Sequence, residues 1–156
     1  AMAFTLADRG VRSICLTDIL DQASQGLAAE LNEHYGEIAR SLPSQDTGRV
    51  EAVFRASDIV MNCSGLGMAP SLTRTPVRKE AFRPGQLAFD ATYNPHKTQF
   101  LTDAEEAGAR TVNGLGMLVY QGALQFGLWT GLTDLPNEIM FAEARAALAE
   151  SLSGSK

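Results

Sequence analysis

The sequence predicts an α/β fold built on a doubly wound, mostly parallel sheet, and three observations carry that expectation. Short apolar runs alternate with stretches of helical period at the spacing of βαβ units. Residues 58–63 and 86–92 are apolar enough to read as strands covered on both faces. The unusual residues follow such strands, at Asp18, 62–67, 90–93 and 113–116. In parallel sheets ligands bind at those carboxyl ends.

Taken in order, residues 1–9 are helical, with Met2, Phe4, Leu6 and Ala7 on one face and Gly10 as the left-handed residue that closes a helix. The chain thus opens inside a helix, and reads as a domain cut at its N-terminus. Residues 11–17 are a buried strand ending at Asp18, and 21–35 a helix with Leu27, Ala28, Leu31 and Tyr35 on one side. A short strand over 37–42, a polar loop with Pro43 and a short helix over 49–56 lead to the strand at 58–63. A loop rich in Gly, Pro, Ser and Thr covers 64–76. The strand at 86–92 is followed by the turn Tyr93-Asn94-Pro95, a helix over 98–107 stopped by Gly108, and a strand over 109–112. In the apolar segment NGLGMLVYQGALQFGLWTG, Met117, Leu118, Gln121, Leu124, Gln125 and Leu128 recur at spacings of three and four, which predicts a helix. The last helix spans 136–152, with Pro136 in its first turn, and 153–156 is a frayed tail. Residues 1–152 form one domain on this reading.

A chain of 156 residues can build a real core, and 45% hydrophobic with 20% charged residues is ordinary for a soluble globular protein. The net charge of −5 gives no electrostatic reason to expect nucleic acid or anionic membrane as a partner. No apolar run reaches membrane-span length and no signal peptide is visible, so a cytoplasmic location is expected. Cys15 and Cys63 lie in apolar runs and read as two buried thiols in a reducing compartment. His34 and His96 have no partners at metal-ligand spacing, so no metal site is expected. Ser64 does not meet the Gly-x-Ser-x-Gly pattern of a nucleophile elbow. Lys79, Lys97, Glu105 and Glu106 read as solvated charges.

Two places have competing readings. In the segment 113–131 the glycines let backbone approach a ligand, the helix start offers free N–H groups, and Gln121 lies one turn beyond Met117 with an amide that can both donate and accept. The same segment also reads as a buried core helix. Asp18 ends a strand, where a carboxylate accepts hydrogen bonds from ribose hydroxyls and repels a 2′-phosphate. It equally suits the N-cap of the following helix. The glycine-rich phosphate loop that would decide the matter belongs before Ala1 and is not in this sequence.

Three segments carry a resemblance. NCSGLGM, residues 62–68, resembles the Asn-Ala-Thr-Pro-x-Gly-Met segment of shikimate dehydrogenases. FDATYNP, residues 89–95, is similar to their Asp-x-x-Tyr-Asn-Pro, and residues 113–131 to their Asp-Gly-Leu-Gly-Met-Leu-x-x-Gln-Ala-Ala segment ending in Trp-x-Gly. The resemblance implies the Rossmann-type, C-terminal cofactor domain of a shikimate or quinate dehydrogenase, without its first strand. That family reduces 3-dehydroshikimate reversibly to shikimate by hydride transfer from a nicotinamide cofactor. By resemblance, Tyr93 and Gln121 reach the substrate, Gly114 and Met117 border the nicotinamide, and Asn62, Ser64 and Ala91 line the cofactor path. Its catalytic lysine–aspartate pair belongs to a domain with no counterpart here, so no catalytic residue is assigned and the 156-residue chain alone is expected to be inactive. Leu16-Thr17-Asp18 replaces the Asn-Arg-Thr of NADP-using members, so NAD is preferred with NADP as the alternative. Ser64-Gly65 replaces Thr-Pro and implies a looser loop. The partner implied is a small polyhydroxy carboxylate, and a homodimer is compatible with the chain. The rival readings are another two-domain dehydrogenase, such as a methylenetetrahydrofolate dehydrogenase, and a non-catalytic dinucleotide-binding module.

Overall fold

The computed structural model describes residues 1–153, with side chains to residue 149. Apart from Ser153, the expected tail lies outside the described residues. The chain divides into two compact units, Ala1–Ser57 and Asp58–Lys156. Every strand pairing in either unit is parallel, as the alternation of elements predicts.

The first unit runs α1 (Met2–Asp8), β1 (Ile14–Leu16), α2 (Asp21–Tyr35), β2 (Ala39–Ser41) and α3 (Thr47–Ala56). β1 and β2 form a two-stranded sheet in the register Ile14↔Ala39, Leu16↔Ser41. Ala7, Ile14 and Leu31 are its buried centre, with Phe4, Leu27 and Tyr35 packed round them. The Asn32 carboxamide ties α2 to β2, accepting from the backbone N–H of Ile38 and Ala39 and donating to the Ala39 carbonyl. Buried backbone groups need such partners. Gly10 follows α1 with φ +76°, as its expected closing role requires.

The second unit runs β3 (Ile59–Asn62), a 3-10 turn (Lys79–Ala81), β4 (Leu87–Asp90), α4 (Gln99–Glu106), β5 (Arg110–Asn113), α5 (Leu115–Thr130) and α6 (Asn137–Ser153). Its sheet has the order β3-β4-β5. Register sets Asn62, Asp90 and Asn113 side by side on the last rung. α4 covers β4 and β5. Phe100 is wholly buried and meets Phe82 edge-on at 5.1 Å, and Ala88 and Ala104 are also fully enclosed.

Several expectations need correction. The strand at 58–63 is not covered on both faces, because Ile59 remains exposed. Cys63 is exposed and Cys15 only half-buried, so these two thiols are not a buried pair. The apolar stripe read on α5 is its open face: Met117, Leu124 and Leu128 are exposed, while Leu115, Val119 and Ala123 are buried. That helix is apolar all round, so periodicity cannot choose a face; packing selects the smaller residues. α6 begins one residue after Pro136, whose carbonyl accepts the Met140 N–H. Lys79 and Lys97 are paired rather than simply solvated, with Glu106 and Glu105 of α4 respectively.

Candidate functional site

In the second unit, side chains of the last sheet rung turn inward and bond to the loops beyond it. Asp90 is wholly buried. Its Oδ2 accepts from Asn62 Nδ2 at 3.1 Å and Thr98 Oγ1 at 2.6 Å, and its Oδ1 accepts from Thr92 N at 2.9 Å. Thr98 is the N-cap of α4 and also accepts from Leu101 N. A buried carboxylate is tolerable only when donors replace its hydration, and here three do.

Asn62 continues the arrangement toward the surface. Its Oδ1 accepts from Ser64 N at 3.1 Å and Ser64 Oγ at 2.6 Å, and its Nδ2 donates to the Leu66 carbonyl. Ser64 Oγ in turn accepts from Leu66 N. The loop expected to be loose is therefore pinned by its serine. Gly65 takes φ +74°, which proline cannot adopt, so Ser64-Gly65 folds a turn that Thr-Pro could not copy.

The start of α5 is bonded to the loop after β4. Gly114 N donates to the Thr92 carbonyl at 3.1 Å. A Cβ on Gly114 would lie 1.9 Å from the Ala91 carbonyl oxygen, so only glycine permits this approach of backbone to backbone. The glycine thus lets α5 start directly against the loop after β4. Asn113 accepts from Leu115 N and donates to the His96 carbonyl.

These contacts shape a cavity of about 400 Å³ at the strand ends, whose walls include Cys63, Gly65, Met68 and Leu72 on one side and Ala91 and Tyr93 on the other. That size falls in the range of small-molecule and cofactor sites. Although part of Cys63 is exposed, protein crowds its thiol, and this burial, followed by the charge of Asp90, raises its pKa above the ordinary value. It is thus a poor nucleophile at neutral pH. A second cavity, about 520 Å³, lies along the far end of α5, between Leu124, Leu128, Leu132 and Leu135, with no titratable side chain in its lining.

The structure brings together Asn62, Ser64, Ala91, Tyr93 and Gly114 of the expected site residues. Met117 and Gln121 continue along the exposed face of α5 and do not line the cavity. Asp18 belongs to the first unit. It is exposed, and its Oδ1 accepts from Leu20 N at 2.9 Å. The N-cap of α2 is Leu20, so the helix-cap reading of Asp18 fails; the side chain closes a turn at the strand end. Asp90 and Thr92 stand among the strand-end residues marked by the sequence but received no role of their own there, and Thr98 was not singled out. Their signal was a short polar series after a buried strand, which also describes an ordinary turn. Among the described residues no cluster of His, Cys, Asp and Glu could hold a metal ion, and no helix is long and apolar enough to cross a membrane.

Comparison with known proteins gives a consistent result. Residues 114–141 match the shikimate 5′-dehydrogenase C-terminal domain family. The shikimate dehydrogenase (NADP(+)) of Moorella thermoacetica is 38% identical over 99% of this chain and 52% of its own length. The chain spans about half the length of the curated relatives it matches. Among solved structures, shikimate 5-dehydrogenase from Listeria monocytogenes, in complex with shikimate and NAD, superposes with TM-score 0.80 at 29% identity, over 89% of this chain and 49% of that one. Quinate dehydrogenase from Corynebacterium glutamicum, in complex with NAD, gives TM-score 0.83 at 26% identity, over 93% and 50%.

Proposed function

Because the chain belongs to the shikimate dehydrogenase family, we propose that it is the cofactor-binding portion of an enzyme that moves a hydride reversibly between a nicotinamide cofactor and 3-dehydroshikimate or shikimate, or the quinate counterpart. The observation that carries this reading is the cavity at the carboxyl ends of β3 and β4, with the start of α5 bonded to its wall. Its mixed lining suits a flat, partly polar ring: Met68 and Leu72 offer apolar surface, while Ala91, Thr92, Tyr93 and Asn94 also border it.

When bound, the nicotinamide supplies or accepts the hydride. Asn62, Ser64 and Ala91 line the cofactor path on this reading, and Gly114 and Met117 border the ring. Tyr93 and Gln121 approach the substrate, where a phenol and an amide can hydrogen-bond its hydroxyls. The ketone oxygen also needs a proton as the hydride arrives. Lys79 and Lys97 are held by carboxylates of α4, so neither is assigned that role, which falls to the family's lysine–aspartate pair outside this chain.

NAD is favoured over NADP through Asp18. The relative from Moorella is named for NADP(+), whereas the Listeria and Corynebacterium structures hold NAD. Asp18 stands exposed at the end of β1, and neither Thr17 nor Ile19 offers a positive charge to a 2′-phosphate. The test is steady-state kinetics of the intact protein that carries this chain, with shikimate and quinate and each cofactor. Gln121→Ala should lower kcat/KM for the polyol by an amount equivalent to about 1–3 kcal/mol while leaving cofactor affinity in place. Absence of turnover with both substrates and both cofactors would overturn the reading.

A further inference from the structure

We propose that Asp90, with Thr98 as its partner, is a positioning residue of the strand-end cavity. It holds the turn after β3 and the loop after β4 in the arrangement that forms the two walls, and acts on bound cofactor only through them. The inference rests on reading this cavity as the nicotinamide end of the cofactor site.

A carboxylate accepts hydrogen bonds and donates none. Facing Asp90, the Asn62 carboxamide must turn its NH₂ inward, and the 3.1 Å contact to Oδ2 shows that orientation. The amide oxygen is then left pointing at Ser64, where it accepts from both the backbone N–H and the hydroxyl. Were the amide reversed, its NH₂ would face the Ser64 N–H, donor against donor, and the turn carrying Cys63 and Gly65 would lose its anchor. Oδ1 of the same carboxylate accepts the Thr92 N–H and so sets the loop that carries Ala91 and Tyr93. One buried group therefore determines both walls.

Thr98 supplies the remaining restraint. Its hydroxyl donates to Asp90 at 2.6 Å, while a Cβ placed on Gly67 would meet the Thr98 Cβ at 3.1 Å. The threonine thus orients the carboxylate and backs the glycine-rich loop at the same time. Asp90, Asn62 and Thr98 do not line the cavity; Thr92, which Asp90 binds, does, and so do Cys63 and Gly65 on either side of the Ser64 that Asn62 holds.

The test uses Asp90→Asn, Thr98→Val and Thr98→Ser in the intact protein, with amide hydrogen exchange at Ser64 and Thr92 and NADH binding followed by fluorescence. Expected is faster exchange at both amides in Asp90→Asn and Thr98→Val, with NADH affinity falling about ten-fold, equivalent to 1.4 kcal/mol. Thr98→Ser, which keeps the hydroxyl, should restore both. Should Asp90→Asn fail to fold, the threonine pair decides. Unchanged exchange in Thr98→Val would overturn the proposal, and so would faster exchange with unaltered NADH affinity. Wild-type protein that binds no NADH would refute the cofactor reading itself and the positioning role with it.

Discussion

Asp18 and Asp90 occupy comparable topological places, each at the carboxyl end of a parallel strand, and their surroundings are opposite. Asp18 is exposed and makes one local bond, to Leu20 N. Asp90 is fully enclosed and accepts from three groups drawn from three segments of the chain. The residue type is the same; the burial differs, and burial decides the chemistry. A carboxylate in water is open to a ligand and contributes little to the fold. A carboxylate out of water must be saturated by protein donors, and in exchange it orders whatever donates to it.

The largest effect should come from removing the buried member. Asp90→Ala leaves the Asn62 amide, the Thr98 hydroxyl and the Thr92 N–H without their acceptor, and should cost roughly 3–4 kcal/mol of stability. Asp18→Ala should change stability by less than about 0.5 kcal/mol. Urea unfolding of the two variants measures both; equal midpoints would erase the contrast between the aspartates.

Next in size is Gly114→Ala. Its new methyl group would overlap the Ala91 carbonyl oxygen, and the bond from Gly114 N to the Thr92 carbonyl would have to shift with it. Relief requires moving backbone rather than a side chain, so a loss of about 3 kcal/mol is expected. Thermal unfolding is the measurement. A neutral outcome would mean that the loop after β4 is not held as tightly as Asp90 implies.

A smaller effect concerns cofactor choice and tests the exposed member. Like charges about 4 Å apart cost about 1 kcal/mol in water and about 4 kcal/mol at an effective dielectric near 20. Because Asp18 is exposed, the lower end applies, and an NAD preference of about five-fold follows. Asp18→Asn should erase most of that ratio of catalytic efficiencies. A wild-type ratio favouring NADP would remove Asp18 from the ribose site.

The mildest effect is a pH profile that reads Asp90 through a neighbour. Burial first, and the Asp90 charge second, raise the Cys63 thiol pKa. A group whose pKa is raised by folding contributes stability below its unfolded value, and that contribution is lost as pH climbs through the raised one. In a Cys15→Ser background, alkylation of Cys63 by iodoacetamide should therefore reach half-rate at a higher pH than free cysteine, and Asp90→Asn should move that midpoint down. An unmoved midpoint would mean that the carboxylate does not act on the thiol.

Much of the fold was legible in the residues. The helix at 21–35 has the bounds read from its apolar spacing, and β1 to β4 fall within the runs that predicted them, while β5 is shifted by one residue from 109–112 to Arg110–Asn113, since side chains alone cannot mark the last ladder bond. Clustering of Tyr93, Asn62, Ser64 and Gly114 after strands foretold a shared locality, since parallel strands deliver their following loops to one edge. The face of α5 was not legible, because a largely apolar helix carries little preference until a neighbouring element packs against it, here α6.

The sequence by itself determined the alternation of elements, the parallel pairing and the strand-end position of the polar segments. All three follow from local propensity, hydrophobic period and chain connectivity, which neighbouring residues suffice to set. Only the tertiary structure decided that Asp90 is buried and Asp18 exposed, that Asn62 turns its oxygen to Ser64, and that Gly114 is needed against Ala91. Each of these depends on groups from segments distant in sequence meeting in space, where desolvation and the supply of donors, not residue identity, fix what a side chain can do.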